Sequence, residues 1–248
     1  MTFALCFMTQ FVALYLIDRL RVTSSQTQLM LIVGPMVAQL LVLGAWGAAA
    51  DRMGKKPVLV IAGAGLVPVG LGWLLVGPDK LWLGYLLLAA AAALWTGVEV
   101  ANFNLVLGMA GGKRDQNGGD TREPGRDDAA GGTAYVATNS VIVNIAGCLG
   151  GLAAGCIAQG LKDWSWQPVL GSKTFTSYDV LFIISGVLRL VSVVVFLPHL
   201  YEPGAKSVAE TLRFITANLY AAAHNLVATP VRLVTRLRAE QDLPQPQV

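Results

Sequence analysis

Residues Gly44–Leu59 read GAWGAAADRMGKKPVL and place a short cluster of charges between two long apolar runs. The charged residues are Asp51, Arg52, Lys55 and Lys56. Gly47 precedes the cluster and Gly54 divides it. Because turn-forming and charged residues interrupt the apolar sequence for only a few positions, the stretch predicts a tight turn between two long apolar helices.

The composition places these helices in a membrane. Of the 248 residues, 54% are hydrophobic and 13% are charged, whereas an average soluble domain carries about 25% charged residues. The net charge of +3 is too small to indicate a nucleic-acid partner. The three cysteines, Cys6, Cys148 and Cys156, lie in apolar runs without metal-type spacing. We therefore expect an integral membrane protein with no metal and no cofactor.

Six segments are apolar enough to cross about 30 Å of hydrocarbon. They cover residues 2–17, 29–50, 57–76, 81–110, 134–161 and 178–197. The sequence thus predicts an all-α, polytopic bundle over residues 1–200. The glycine-rich, mixed-charge loop 111–132 is predicted to be a disordered linker.

Lys and Arg counts predict the orientation of the bundle. Twelve of these residues lie in one set of loops and five in the other, while Arg189 lies within the last span. Since cytoplasmic loops are enriched in Lys and Arg, both termini, the 51–56 turn and loop 111–132 are predicted to be cytoplasmic. The predicted location is the cell membrane.

The tail, residues 201–248, predicts an amphipathic cytoplasmic helix. Ser207 and Glu210 have capping-box spacing. Apolar residues follow at helical spacing: Val208, Leu212, Ile215, Leu219, Ala222 and Leu226. Such a helix fits the surface of an anionic lipid leaflet, and it fits the cytoplasmic face of a partner almost as well.

The charged turn resembles signature motif A of the major facilitator superfamily. Matching residues are Gly47, Asp51, Arg52, Gly54 and Lys56, with Lys55 where arginine is usual and Met53 where an aromatic residue is usual. Topology alone explains the three cations of this turn, but not its acid or its glycines. Gly47 suits close helix contact and Gly54 suits a turn with positive φ.

The resemblance implies a transporter fold of twelve helices in two halves, of which this chain corresponds to one. The tail tract LYEPGAKSVAETL favours the C-terminal half. In the family, the motif's acid lies at a helix N-terminus of the opposite half and acts as a latch for one of two alternating states. The partner of Asp51 is therefore expected on a second six-helix bundle, supplied by a missing half or by a second copy.

Polar residues within the spans indicate a pathway for a solute or a proton. The candidates are Gln39, Glu99, Asn102, Asn139 and Asn144. A structural ion pair or a near-surface position is the alternative for Glu99, and interhelical hydrogen bonding is the alternative for the asparagines. Arg189 is expected to reach the cytoplasmic headgroups or to make a structural contact.

The function that these features predict is secondary active transport of a small solute by alternating access, with Glu99 as the candidate group for proton coupling. The alternative is a six-helix membrane module that does not transport, either an orphan half or a fragment. Catalytic signatures such as GxSxG and HExxH do not occur in the sequence, so we do not expect an enzyme.

Overall fold

The computed structural model of the chain describes residues 1–111, 127–167, 174–200, 202 and 204–221. Within these ranges six helices are long and apolar enough to cross a membrane, which confirms the predicted number of spans. They are α1 (Thr2–Arg19), α2 (Ser24–Met53), α3 (Lys55–Leu75), α4 (Leu81–Gly111), α5 (Asp127–Gly160) and α6 (Ser177–Phe196). A further helix, α7, covers the described tail residues 208–221.

The segment predicted to be disordered is partly helical. Helix α5 begins at Asp127 and therefore includes the last residues of the predicted linker 111–132. Residues 112–126 of the predicted linker lie outside the described residues.

The connection between α5 and α6 contains two short strands that the sequence pattern did not predict. β1 (Ser165–Trp166) pairs antiparallel with β2 (Phe175–Thr176), and the rings of Trp166 and Phe175 lie 5.6 Å apart. Helix α6 then begins at a capping box formed by Thr176 and Asp179. Apart from this small hairpin, the described chain is mostly helical, as the sequence predicted.

Five of the six spans pack in a closed order, and α2 packs beside this ring on α4. Helix α2 packs on α4, α4 on α3, α3 on α6, α6 on α1 and α1 on α5, and contacts between α5 and α4 complete the order. This order does not follow the chain, so residues far apart in sequence meet across the bundle.

Two apolar clusters fix the two ends of the bundle. At the end opposite the charged turn, Tyr15 packs edge-on against Trp73 and Phe182, and its hydroxyl donates to the Val76 carbonyl at 2.8 Å. At the end that carries the turn, Trp46 and Ile215 belong to one buried cluster. The tail helix therefore joins the core of the bundle.

Helices α2 and α5 are the least enclosed of the six. In the apolar 18-residue window of each of these two helices, 11% of the residues are buried. The corresponding share is 28% to 33% in the other four spans. Small and polar residues on their exposed surfaces include Gly44 on α2 and Asn144 on α5. Such residues suit contact with another helix better than contact with lipid tails.

Candidate functional site

The turn between α2 and α3 depends on the backbone of Gly54. This residue has φ +105° and ψ 160°, a conformation that is essentially restricted to glycine. The positive φ predicted for the turn is therefore confirmed. A Cβ atom at this position would lie 3.1 Å from the Cβ of Ala205, so the tail also requires a small residue here.

Glu202 caps the helix that follows the turn. Its Oε1 accepts a hydrogen bond from the Lys55 backbone N–H at 3.1 Å, and its Oε2 accepts one from the Lys56 backbone N–H at 2.6 Å. The Lys206 N–H donates to the Met53 carbonyl at 2.8 Å. A carboxylate at a helix N-terminus satisfies donors that have no partner within the helix and opposes the partial positive charge there.

The cationic side chains of the turn contact the same tail. The Arg52 guanidinium lies 5.8 Å from the centre of the Phe214 ring on α7. The Lys56 ammonium donates to the Pro198 carbonyl at 3.3 Å. The motif and the segment that follows the last span thus form one connected structure.

Two residues of the motif face away from these contacts. Asp51 is exposed and has no hydrogen-bond or ion-pair partner within the described part of the chain. A Cβ atom at Gly47 would meet nothing within 4 Å outside its own helix. The close helix contact predicted at Gly47 is therefore not made within these residues, and both positions are open to a second body.

A cavity of about 540 Å³, with both polar and apolar walls, lies between α4 and α5 near the end that carries the turn. Four of the five candidate pathway residues line it: Glu99, Asn102, Asn139 and Asn144. The fifth, Gln39, is half-buried on α2 and does not line this cavity. The structure thus brings together candidates from two helices that are 37 to 45 residues apart in sequence.

Glu99 is exposed in this cavity and has a local partner. The Trp95 indole N–H, one helical turn earlier, donates to its Oε1 at 2.7 Å. Among the asparagines, the Asn144 side-chain amide donates to the Ser140 carbonyl of its own helix at 2.8 Å. Both hydrogen bonds are local, so they leave carboxylate and amide oxygen atoms free to interact with a solute.

Arg189 does not reach the membrane surface, which corrects the interpretation that it extends to the headgroups. Its side chain is 1% exposed, and Nη1 donates to the Leu66 carbonyl of α3 at 3.0 Å. Helical geometry puts Leu66 roughly 15 Å from either end of α3, near the centre of the span. The structural contact predicted as the alternative is present.

Sequence reasoning missed Glu202 and Trp95. The tract around Glu202 was used only as a sign of the C-terminal half, because a carboxylate so distant along the chain carries no local capping pattern. Trp95 could have been found, since an indole donor four residues before an acid lies on the same helix face.

Comparisons with known proteins add no relative: no protein-family model, curated protein or solved structure matches the chain.

Proposed function

We propose that this chain is a six-helix half of a secondary transporter of the major facilitator type, which moves a small solute by alternating access with a second six-helix bundle. The observation that carries the proposal is the cavity lined by Glu99, Asn102, Asn139 and Asn144. A protonatable group and neutral hydrogen-bonding groups in a space between spanning helices suit a solute pathway.

The distribution of burial supports a second bundle. In the family that the motif resembles, the first, second, fourth and fifth helices of each half line the central pathway. Helices α2 and α5, the second and fifth spans here, are the two with the smallest buried share. Their open faces therefore correspond to the side on which the other half would pack.

Two residues of the motif, Asp51 and Gly47, support the same arrangement. Asp51 is exposed, and the space beside Gly47 is empty of other described parts of the chain. A helix N-terminus from the second bundle, with its partial positive charge, would suit Asp51. Contacts of this kind would stabilise one of the two alternating states.

Glu99 is the proposed site of proton coupling. Its carboxylate lies among polar side chains and holds one indole hydrogen bond. Closure of a second bundle over this cavity would exclude water, and the loss of water disfavours the charged form of a carboxylate. Opening would reverse this effect, so proton binding would follow the alternation of the two states.

The test uses the purified full chain in proteoliposomes that contain a pH-sensitive dye. A panel of neutral, cationic and anionic small solutes is added outside, and proton movement and solute uptake are both recorded. We expect one solute class to drive proton movement. Glu99→Gln should abolish solute-driven proton movement while leaving solute exchange measurable.

The matched control is Asp163→Asn, which neutralises an exposed acid in the connection after α5. It should behave like the unmodified chain. Unchanged proton coupling in Glu99→Gln would refute the role of Glu99. A folded, paired chain that moves no solute of the panel would refute transport and favour the non-transporting module.

A further inference from the structure

A second cavity, of about 180 Å³, lies within the bundle near the middle of the spans. Its walls come from α1, the first half of α2, the end of α3 and α4, and Arg189 of α6 completes them. Most of the lining is apolar, with Met8, Val12 and Leu31 as examples. Arg189 is the only formally charged side chain among the residues that line it.

Arg189 enters this wall through a gap in α3. A Cβ atom at Gly70 would lie 3.1 Å from the Arg189 Nη1, so the absence of a side chain there makes room for the guanidinium. Only Nη1 is used, in the hydrogen bond to Leu66. The Nε and Nη2 atoms are buried and have no hydrogen-bond partner among the described residues.

Trp73 adds another buried donor to the same wall. It is 0% exposed and lines the cavity, and its Nε1 atom also lacks an acceptor within the described chain. Three unpartnered donors therefore belong to two side chains of one small cavity. Leaving a buried polar group unpaired is unfavourable, and more so when the group is charged.

The free donors of Arg189 have a specific geometry. Nε–H and one Nη2–H lie side by side in the planar guanidinium and point in parallel, which matches the two oxygens of a carboxylate. The hydrogen bond to Leu66 holds the third nitrogen and so fixes the orientation of this pair. A neutral ligand would leave the charge of Arg189 without compensation in an apolar environment.

Glu99 does not supply the missing negative charge. It lines the other cavity, where its Oε1 accepts from Trp95. Trp95 lines both cavities, whereas Glu99 lines only the larger one and Arg189 only the smaller one. The compensating anion is therefore expected from outside the described chain.

We propose that this cavity binds a small organic carboxylate when the side chains that cover Arg189 and Trp73 move aside. The Nε and Nη2 atoms of Arg189 then hold the acid, with Trp73 as an additional donor and the apolar wall around the carbon skeleton. That this anion is the transported solute rests on the proposed function, whereas the binding does not. Short aliphatic acids and single-ring aromatic acids fit a cavity of this volume.

The test measures binding to the purified full chain in lipid nanodiscs. Sodium benzoate and butyrate are titrated against the amides of the same shape, benzamide and butyramide, with sodium chloride and palmitate as further arms. The readouts are tryptophan fluorescence, since Trp73 and Trp95 line the cavity, and the midpoint of thermal unfolding. We expect saturable binding of the short acids and at least tenfold weaker binding of the amides.

Variants test the contribution of each donor. Arg189→Lys keeps the charge but loses the paired donors, so we expect about tenfold weaker acid binding. Arg189→Gln should abolish it, and Trp73→Phe should weaken it. Arg213→Gln, which removes an exposed arginine of α7, should change nothing.

Several outcomes would overturn the proposal. Equal binding of acid and amide would show a simple apolar site, saturation by chloride would show an inorganic anion site, and preference for palmitate would show a lipid site. Failure of all short acids on the folded chain would also refute it. If Arg189→Gln does not fold, the acid–amide comparison on the unmodified chain still decides.

Liposome uptake separates this inference from the proposed function. Binding of a carboxylate without uptake would refute transport but would support the carboxylate site. Uptake of a neutral solute by a chain that binds no carboxylate would support transport but would refute the carboxylate site.

Discussion

Glu202 shows how one residue can join distant parts of a membrane protein. Its carboxylate accepts hydrogen bonds from two backbone donors of the charged turn, at sequence separations of 147 and 146 residues. Gly54 permits this because a side chain there would contact Ala205 and the Glu202 carboxylate itself. The turn is therefore stabilised by the segment after α6 and not by its own side chains alone.

Removal of this carboxylate should weaken the turn. Glu202→Ala leaves the Lys55 and Lys56 N–H groups without their acceptor, so we expect a loss of about 1–2 kcal/mol in the free energy of unfolding. Glu202→Gln retains one acceptor and should lose less. Thermal or denaturant unfolding in detergent measures the change, and Asp163→Ala is the control. Equal stability of all three variants would contradict the capping role.

The residues of the turn differ in how far sequence could predict them. The glycine pattern predicted the positive φ of Gly54, because that conformation is a local property of the backbone. Capping by Glu202 could not be predicted, because it depends on how α6 returns the chain to the turn. The predicted latch at Asp51 stays a prediction, since no residue in the described part of the chain pairs with it.

Helix α7 is the element whose start was predicted well and whose packed face was not. The capping box is present: the Glu210 N–H donates to the Ser207 hydroxyl and the Ser207 N–H donates to the Glu210 carboxylate, both at 3.3 Å. Of the predicted apolar face, Ile215 is buried, but Val208 and Leu212 are exposed. Thr211, which the apolar pattern omitted, is fully buried. The shape of the bundle end, and not hydrophobicity alone, selects the face.

Ile215 should be the main apolar anchor of this helix. It is 4% exposed and belongs to the cluster that includes Trp46 and Val58. Ile215→Ala should cost roughly 2–4 kcal/mol if the tail and the bundle unfold together. Leu212→Ala, at a position 49% exposed, should cost little.

Limited proteolysis provides the corresponding local measurement. The Ile215→Ala chain should be cut within α7 faster than the Leu212→Ala chain. Equal rates of cleavage would contradict the packing of α7 on the bundle and would favour a tail held by lipid or by a partner.

The whole molecule presents two open helices, α2 and α5, and an open site beside Gly47 on α2. A Cβ atom there would meet nothing within 4 Å, so we expect a larger side chain to leave the folded bundle intact. It would, however, occupy the space in which we expect a second bundle. Gly47→Leu should therefore reduce association without lowering stability.

Native mass spectrometry in detergent measures this association. The chain has a mass of 26.2 kDa, and a homodimer would have twice that mass. Gly77→Leu, in the connection between α3 and α4, is the control, because a Cβ atom there would also meet nothing within 4 Å. A chain that stays monomeric in every variant would exclude the homodimer, and association that is unaffected by Gly47→Leu would place the interface elsewhere.

At this scale, apolar run length was enough to predict six spans, because each must cover the same hydrocarbon thickness. It could not predict which helices are neighbours. The convergence of Glu99 with Asn139, and the burial of Arg189 against Leu66, both depend on that order. Composition also could not predict the helical start of α5 at Asp127, because glycine and charge are typical of linkers as well.

The cap on the charged turn also has a consequence for biosynthesis. Ribosomes add about 5–20 residues per second, so roughly 7–30 s separate the synthesis of Lys55 from that of Glu202. Throughout that interval α2 and α3 can insert as a hairpin, but the turn between them lacks its acceptor. Completion of this corner must therefore follow the emergence of α6, and a nascent chain stalled before residue 202 should expose the turn to proteases that the finished protein resists.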